Sequence, residues 1–293
     1  MSLRYAYRLT TWFLSFAVAL AAHAMHLESD QARASMPAMQ RFTLLPDGET
    51  IKVMSLGFKD VMADIIWLQA IQAIGERRVS DDAGQWIYRA MDIVTTLDTR
   101  FIEAYEAGGT ALCTVVVMPE ASNRLLEKGM QYNPGEWRLP FMLGINYYFE
   151  LADDANAAKY IARAAEIGGG PSYLAPFASR LYMTAREPQK AIEFLAKSYE
   201  QTTDPHMKEF LELRLKHAVV ERDLQLFETA IESYRRQFGT SPATLESLVK
   251  AGVLREVPVD PFGDRYIFDH KTLNVRSKSV DGRFKADGHR RQR

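Results

Sequence analysis

Apolar residues at three- and four-residue steps dominate this chain, and the densest such run lies between Met54 and Gly75. There Phe58, Val61, Met62, Ile65, Leu68 and Ile71 keep the helical spacing, while Ile66, Trp67 and Ile74 widen the stripe. A helix apolar on most sides is expected to be covered on most sides, so the segment reads as a core helix. Asp64 falls inside it. An ionised carboxylate in such a place needs a basic partner or a helix N-terminus to offset its desolvation, and a structural pair is expected rather than a catalytic acid. Before this run, the residues from Arg41 to Val53 read as short extended pieces about a turn at Pro46-Asp47-Gly48.

Further along, the pattern repeats itself. Tyr148 and Tyr182, Ala157 and Ala191, Ile161 and Leu195, and Ala164 and Ser198 are each 34 positions apart. A period of that length marks stacked helical hairpins, in which small residues let two antiparallel helices approach and neighbouring hairpins bury the remaining apolar face. The residues resemble the tetratricopeptide repeat (TPR). They match it at Gly144, Tyr147, Ala157 and Ala164, then at Ser179, Tyr182, Ala191 and Ser198, with Pro134 and Pro205 as closers. One residue is inserted at Ala152-Asp153-Asp154. An earlier, degenerate copy runs from Ala104 and Gly108 through Ala121 and Leu125 to Asn133-Pro134, and an incomplete hairpin before it ends at Leu97-Asp98. The resemblance covers residues 85–235 and implies a mainly α, helical-hairpin solenoid whose concave surface binds a peptide or another protein. Polar positions of the first helices, Arg138, Asn146 and Arg180, are the candidate partner-binding residues, although a solvated helix face accounts for them equally well.

The periodicity changes near the end. Phe227, Ile231 and Tyr234 mark a helix from Leu224; Ser241 and Pro242 read as the N-cap and first residue of a short helix that carries Leu245, Leu248 and Val249 and stops at Gly252. The turn Val259-Asp260-Pro261-Phe262-Gly263-Asp264 follows, then a strand from Arg265 to Phe268 and its antiparallel mate from Leu273 to Ser277. This small α+β module resembles the C-terminal part of the major pseudopilin of type II secretion systems. The matching positions are Pro242, Leu245, Pro258, Asp260, Pro261, Phe262, Gly263, Tyr266, Ser277, Asp281 and Gly282. In that family the terminal loop can bind calcium; here Asp260, Asp264, Asp269 and Asp281 offer oxygen ligands, but a turn built on backbone chemistry is the preferred reading and no metal residue is assigned. The N-terminus lacks the pilin processing site and assembly helix, so the chain is not itself a pilin subunit.

Composition alters the picture mainly at the termini. With 36 basic and 37 acidic side chains in 293 residues the body offers no field for nucleic acid, which is excluded as a partner. Arg4 and Arg8, the apolar run from Trp12 to Ala22 and Ala22-His23-Ala24 form an export signal, either cleaved after Ala24 or retained as an anchor. The five cations Arg283, Lys285, Arg290, Arg291 and Arg293 make a basic tail, read first as a solvated terminus. Cys113, the sole cysteine, reads as a buried small apolar residue. Neither the six histidines nor the glycines of Gly168-Gly169-Gly170-Pro171 show metal-binding or phosphate-binding spacing, and Asp81-Asp82 and Asp153-Asp154 sit where carboxylates favour helix starts. No catalytic residue, cofactor or metal is therefore expected.

The expected organisation is a signal or anchor over residues 1–25, a linker over 26–53, a repeat domain over 54–235, the terminal module over 236–282 and the tail over 283–293. Two functions are compatible with it: an exported, non-catalytic scaffold, periplasmic or tethered to the inner membrane by its N-terminal segment, that binds another protein of the bacterial cell envelope; or an assembly component of a type II secretion or pilus-like system that docks through its terminal module.

Overall fold

The computed structural model describes residues 46–75 and 83–280. The export signal, the linker up to residue 45, Asp81-Asp82, Asp281-Gly282 and the basic tail lie outside the described residues. The described chain is mainly helical, with a two-stranded sheet near its C-terminal end.

It opens with a helix where extended backbone is expected. Asp47 caps α1 (Gly48–Met54), its carboxylate accepting from the Thr50 amide at 3.0 Å and the Thr50 hydroxyl at 2.9 Å. Those bonds hold the Asp47 carboxyl below its ordinary range. Asp before Gly serves a helix cap as well as a turn, so the dipeptide alone does not separate the two outcomes. Glycine is required at 48, because a Cβ there would lie 2.7 Å from Thr96 Cβ.

Helix α2 (Lys59–Ile74) packs along α3 (Ala83–Leu97), and α4 (Ile102–Thr110) continues into a π-helical segment, Ala111–Val115. Then come α5 (Pro119–Tyr132), α6 (Arg138–Phe149), α7 (Asp154–Ile167), α8 (Leu174–Thr184) and α9 (Pro188–Gln201), each packed chiefly on its neighbours in sequence. Helices α5, α7 and α9 are each 14 residues long and start 35 and 34 residues apart. The turn before each has the same construction. Val117, Ala152 and Arg186 are left-handed, with φ of 54°, 50° and 59°. The following amide reaches back to the preceding helix: Met118 N to Leu112 O at 2.8 Å, Asp153 N to Tyr147 O at 2.9 Å, Glu187 N to Tyr182 O at 2.9 Å. The middle turn thus spans one residue more than the last, which is the insertion read at Ala152-Asp153-Asp154. In the first turn the extra residue coincides with the π-helical segment, the usual structural form of a one-residue insertion in a helix.

Close approach within the hairpins rests on small residues. A Cβ on Gly144 would sit 2.7 Å from Ile161 Cγ1 and 3.2 Å from the Ala157 carbonyl oxygen; one on Gly108 would sit 2.7 Å from Leu125 Cδ2. Gly168 and Gly169, both at positive φ, join α7 to α8, so the glycine run is a connection between hairpins. Two apolar clusters follow from this packing, one from α1 through α6 and another from α7 into the next helix.

That helix, α10 (Pro205–Phe238), runs for 34 residues, or roughly 50 Å. Asp204 caps it, accepting from the His206 amide at 3.0 Å, and Gly239 ends it in the left-handed region at φ 69°. No new helix begins at Leu224. Leu211 and Ala218 belong to the second cluster, whereas Leu224, Phe227 and Ile231 belong to a third formed with the terminal module. The same rigid element therefore serves both parts of the chain. Helix α11 (Leu245–Lys250) starts after Thr244, leaving Ser241 and Pro242 outside it. Strands β1 (Ile267–Asp269) and β2 (Asn274–Arg276) pair antiparallel in the register Phe268 opposite Val275.

Candidate functional site

The largest correction to the sequence reading concerns α2. Its buried face is narrow and made largely of small side chains: Ala63, Ile66 and Ala70, with Met62, Trp67, Ala73 and Ile74 half-buried beside them. The opposite face carries Phe58 at 70% exposure, Val61 at 54%, Ile65 at 45% and Leu68 at 59%. Among the described residues α2 packs chiefly on α3, so a helix apolar on all sides covers only one of them. Val53 and Met54 at the end of α1 and Leu56 in the turn between α1 and α2 are exposed as well. In that turn Leu56 has φ 49° and Gly57 φ 96°. A left-handed leucine costs on the order of 1 kcal/mol, and the Leu56 side chain is exposed.

The spacing is regular as well as apolar. Phe58, Val61, Ile65 and Leu68 are separated by three, four and three residues, the interval that keeps a seam facing a second helix. At about 100° per residue, Asp60 and Asp64 run along one edge of the seam and Gln69 along the other. Asp64 is exposed, so the buried structural pair expected for it is not needed. Lys59, the nearest cation, is half-buried and directed at the Leu97 carbonyl oxygen at 3.1 Å and at Asp60. Periodicity finds the seam; it does not tell that the seam is left open. The signal available is Asp60 and Asp64 within a run otherwise apolar on every side.

The three candidate residues on the first helices do not form one open surface. Asn146 is buried, its Nδ2 donating to Ser122 Oγ at 2.8 Å and Asn123 Oδ1 at 2.9 Å, while Ser122 Oγ donates to the Gly109 carbonyl at 2.8 Å. It binds α4, α5 and α6 together and offers nothing to a partner. Arg138 is committed too: Nε and Nη2 donate to Glu136 at 2.8 and 3.0 Å. Its Nε also lies 3.0 Å from Glu106 Oε1, though the N–H is directed at Glu136. Those hydrogen bonds hold the Glu136 carboxyl below its ordinary range; burial raises that of Glu106 against the pull of Arg138. Arg180 is exposed, 5.3 Å over the Phe177 ring, and Arg138 is half-exposed.

A groove of about 620 Å³ separates α7 from α9. Tyr182 and Phe194 line it, with Lys159, Arg163, Lys190 and Lys197 around it. Much of this charge is answered within the chain: Lys197 pairs with Glu166 at 2.8 Å and Lys190 with Glu187 at 2.7 Å. Cys113 is buried, and desolvation pushes its thiol up to about 11, so it is a poor nucleophile where it lies.

In the terminal module the turn Asp260-Pro261-Phe262-Gly263 points its carboxylate inward. Asp260 accepts from the Phe262 amide at 2.9 Å and from Ser277 Oγ at 2.5 Å, and the Gly263 amide closes the turn on the Asp260 carbonyl at 2.8 Å. Ser277 Oγ in turn accepts from the amides of Ser279 and Val280. Tyr266 donates to Asp223 Oδ2 at 2.9 Å, joining the module to α10 inside the third cluster. Burial, reinforced by the Asp223 charge, drives the Tyr266 phenol well above its ordinary range. Among the described residues no three potential metal-ligating side chains converge, and no helix is long and apolar enough to cross a membrane. Comparison of the chain with known protein families, with curated proteins and with solved structures finds no match.

Proposed function

We propose that this protein is an exported helical-repeat adaptor of the cell envelope, tethered or released at its N-terminal segment, that binds another protein through the open seam of α2 and carries out no chemistry of its own. The single observation behind this reading is the uncovered apolar face at Phe58, Val61, Ile65 and Leu68. Contiguous apolar surface left open on a folded chain marks a contact with something else. The recurring turns at Val117, Ala152 and Arg186, and the close contacts at Gly108 and Gly144, favour a TPR-like arrangement of the hairpins. In such an arrangement each end of the stack needs a cover. The terminal module is suited to that task at the C-terminal end, because Tyr266, Val275 and Leu248 turn their side chains toward α10.

Docking onto a secretion or pilus-like assembly through the module has less support, since the residues that carry the pseudopilin resemblance are largely directed inward: Asp260, Tyr266 and Ser277 are all buried. The test is affinity purification of the tagged chain from envelope fractions beside the V61S/L68S variant and a chain lacking residues 236–280. A partner lost with V61S/L68S, while the variant keeps its helical circular dichroism, supports the adaptor reading. Secretion subunits recovered by V61S/L68S and lost only with the deletion would replace it.

A further inference from the structure

The open seam of α2 has a charge as well as a shape, and together they specify its occupant. Resting on the adaptor reading above, we infer that the seam receives a single amphipathic helix of a partner protein, with an apolar stripe of its own and lysine or arginine along the edge that meets Asp60 and Asp64. The three-four-three spacing of Phe58, Val61, Ile65 and Leu68 is suited to the ridge of one helix. An extended strand would find no free sheet edge here, because the seam lies on a helix whose backbone bonds are already made.

Two other occupants of an apolar helix face fit less well. A helix that lies on a bilayer carries lysine and arginine on its polar edges, and anionic headgroups would repel Asp60 and Asp64. A second copy of this chain brings the same edges. Antiparallel, it sets acidic edge against acidic edge; parallel, it sets Asp60 and Asp64 against Gln69, and since Lys59 is already paired with its own Asp60, no cation of α2 meets Asp64. The exposed polar side chains of α2 are Asp60, Asp64, Gln69 and Gln72, and Lys59 is half-buried and already engaged. Charge complementarity is therefore not supplied by a second α2 and is assigned to a partner helix.

The experiment uses the full chain in nanodiscs of zwitterionic lipid and three fluorescent 21-residue synthetic helices with identical leucine seams and lysine, glutamine or glutamate edges. Anisotropy is expected to rank them lysine, glutamine, glutamate, with about a tenfold spread across the series at low salt that shrinks as ionic strength screens the edges. D60N/D64N should abolish the ranking and leave glutamine-edged binding unchanged, whereas V61S/L68S should weaken all three peptides at least tenfold. Equal binding of the three peptides would keep the seam as a docking site and overturn the basic edge.

A fluorophore at Q69C reports the rival occupants, the buried Cys113 being slow to label. Quenching by brominated anionic lipid, or concentration-dependent self-quenching between chains, each abolished by V61S/L68S, would overturn the inference in favour of a bilayer or a second copy. Absence of any peptide binding overturns the partner-helix assignment, while the adaptor reading stands or falls separately on the envelope purification.

Discussion

Replacing Tyr266 with Phe removes one oxygen and tests how the terminal module is held. The phenol donates at 2.9 Å to Oδ2 of Asp223, a side chain only 1% exposed. Arg222 reaches the same carboxylate at 3.0 and 2.7 Å, but through Oδ1. The substitution therefore leaves one oxygen of a buried, charged group without its hydrogen bond. The edge-on contact of the ring with Phe227, at 5.2 Å between centroids, survives in the variant because the six-membered ring is kept. A hydrogen bond to a buried charge contributes about 1.5–3 kcal/mol, so Y266F should lose about 2 kcal/mol. Urea titration followed by circular dichroism reads this as a midpoint lowered by roughly 1 M at an unchanged slope, taking a slope of about 2 kcal/mol/M. Hydrogen exchange should accelerate first in residues 245–280, the part that hangs on this bond. A shift below about 0.5 kcal/mol at unchanged slope, or exchange that accelerates evenly over the chain, would refute the reasoning.

Four other outcomes are expected. G144A should destabilise by about 1–3 kcal/mol, since its Cβ would fall 2.7 Å from Ile161 Cγ1 and 3.2 Å from a backbone oxygen that cannot rotate away; thermal melts check it. N146L, read by the same melts, should cost about 2 kcal/mol by taking the Asn146 donor from Asn123 Oδ1 and Ser122 Oγ in the interior, although Ser122 keeps its bond to the Gly109 carbonyl. Burial raises the phenols of Tyr105 and Tyr266 above their unfolded value near 10, so their contribution is complete below about pH 10 and is lost as pH rises beyond it; the urea midpoint should fall there, and less steeply in Y105F. The Cys113 thiol, pushed up to about 11 and buried, should react with an aromatic disulfide reagent only at the rate of unfolding, which stopped-flow absorbance can follow.

Much of the architecture is legible in the sequence because it rests on short-range chemistry. Gly144 and Ala157 announce a close helix pair, and the structure places a Cβ-free contact between them. Val275 stands between the polar Asn274 and Arg276, and it faces Phe268 across the sheet. Where the reading fails, the same local signal serves two structures. Asp47-Gly48 begins a helix as readily as it makes a turn, and Ser241-Pro242 is a helix start displaced by Thr244. Asn146 resembles a surface amide because a sequence does not disclose that Ser122 and Asn123 will be waiting for it across a helix interface. Arg138 reads as open for the same reason: Glu136 is near in sequence, but Glu106 is brought to it only by packing.

The case of α2 shows why an all-round apolar helix is ambiguous in a sequence. In a globular core such a helix is surrounded, and desolvation would make Asp60 and Asp64 intolerable without partners. Among the described residues α2 packs chiefly on α3, and each further apolar side chain is a liability unless something else removes it from water. Phe58, Val61, Ile65 and Leu68 each forgo on the order of 1 kcal/mol, roughly half of the 1.5–3 kcal/mol available to a fully buried side chain of this kind. The turn ahead of them adds the strain of Leu56 at positive φ. An occupant that covers the seam recovers several kcal/mol without any rearrangement of the helices, so affinity can be set by how completely the four side chains are buried and selectivity by what stands opposite Asp60 and Asp64.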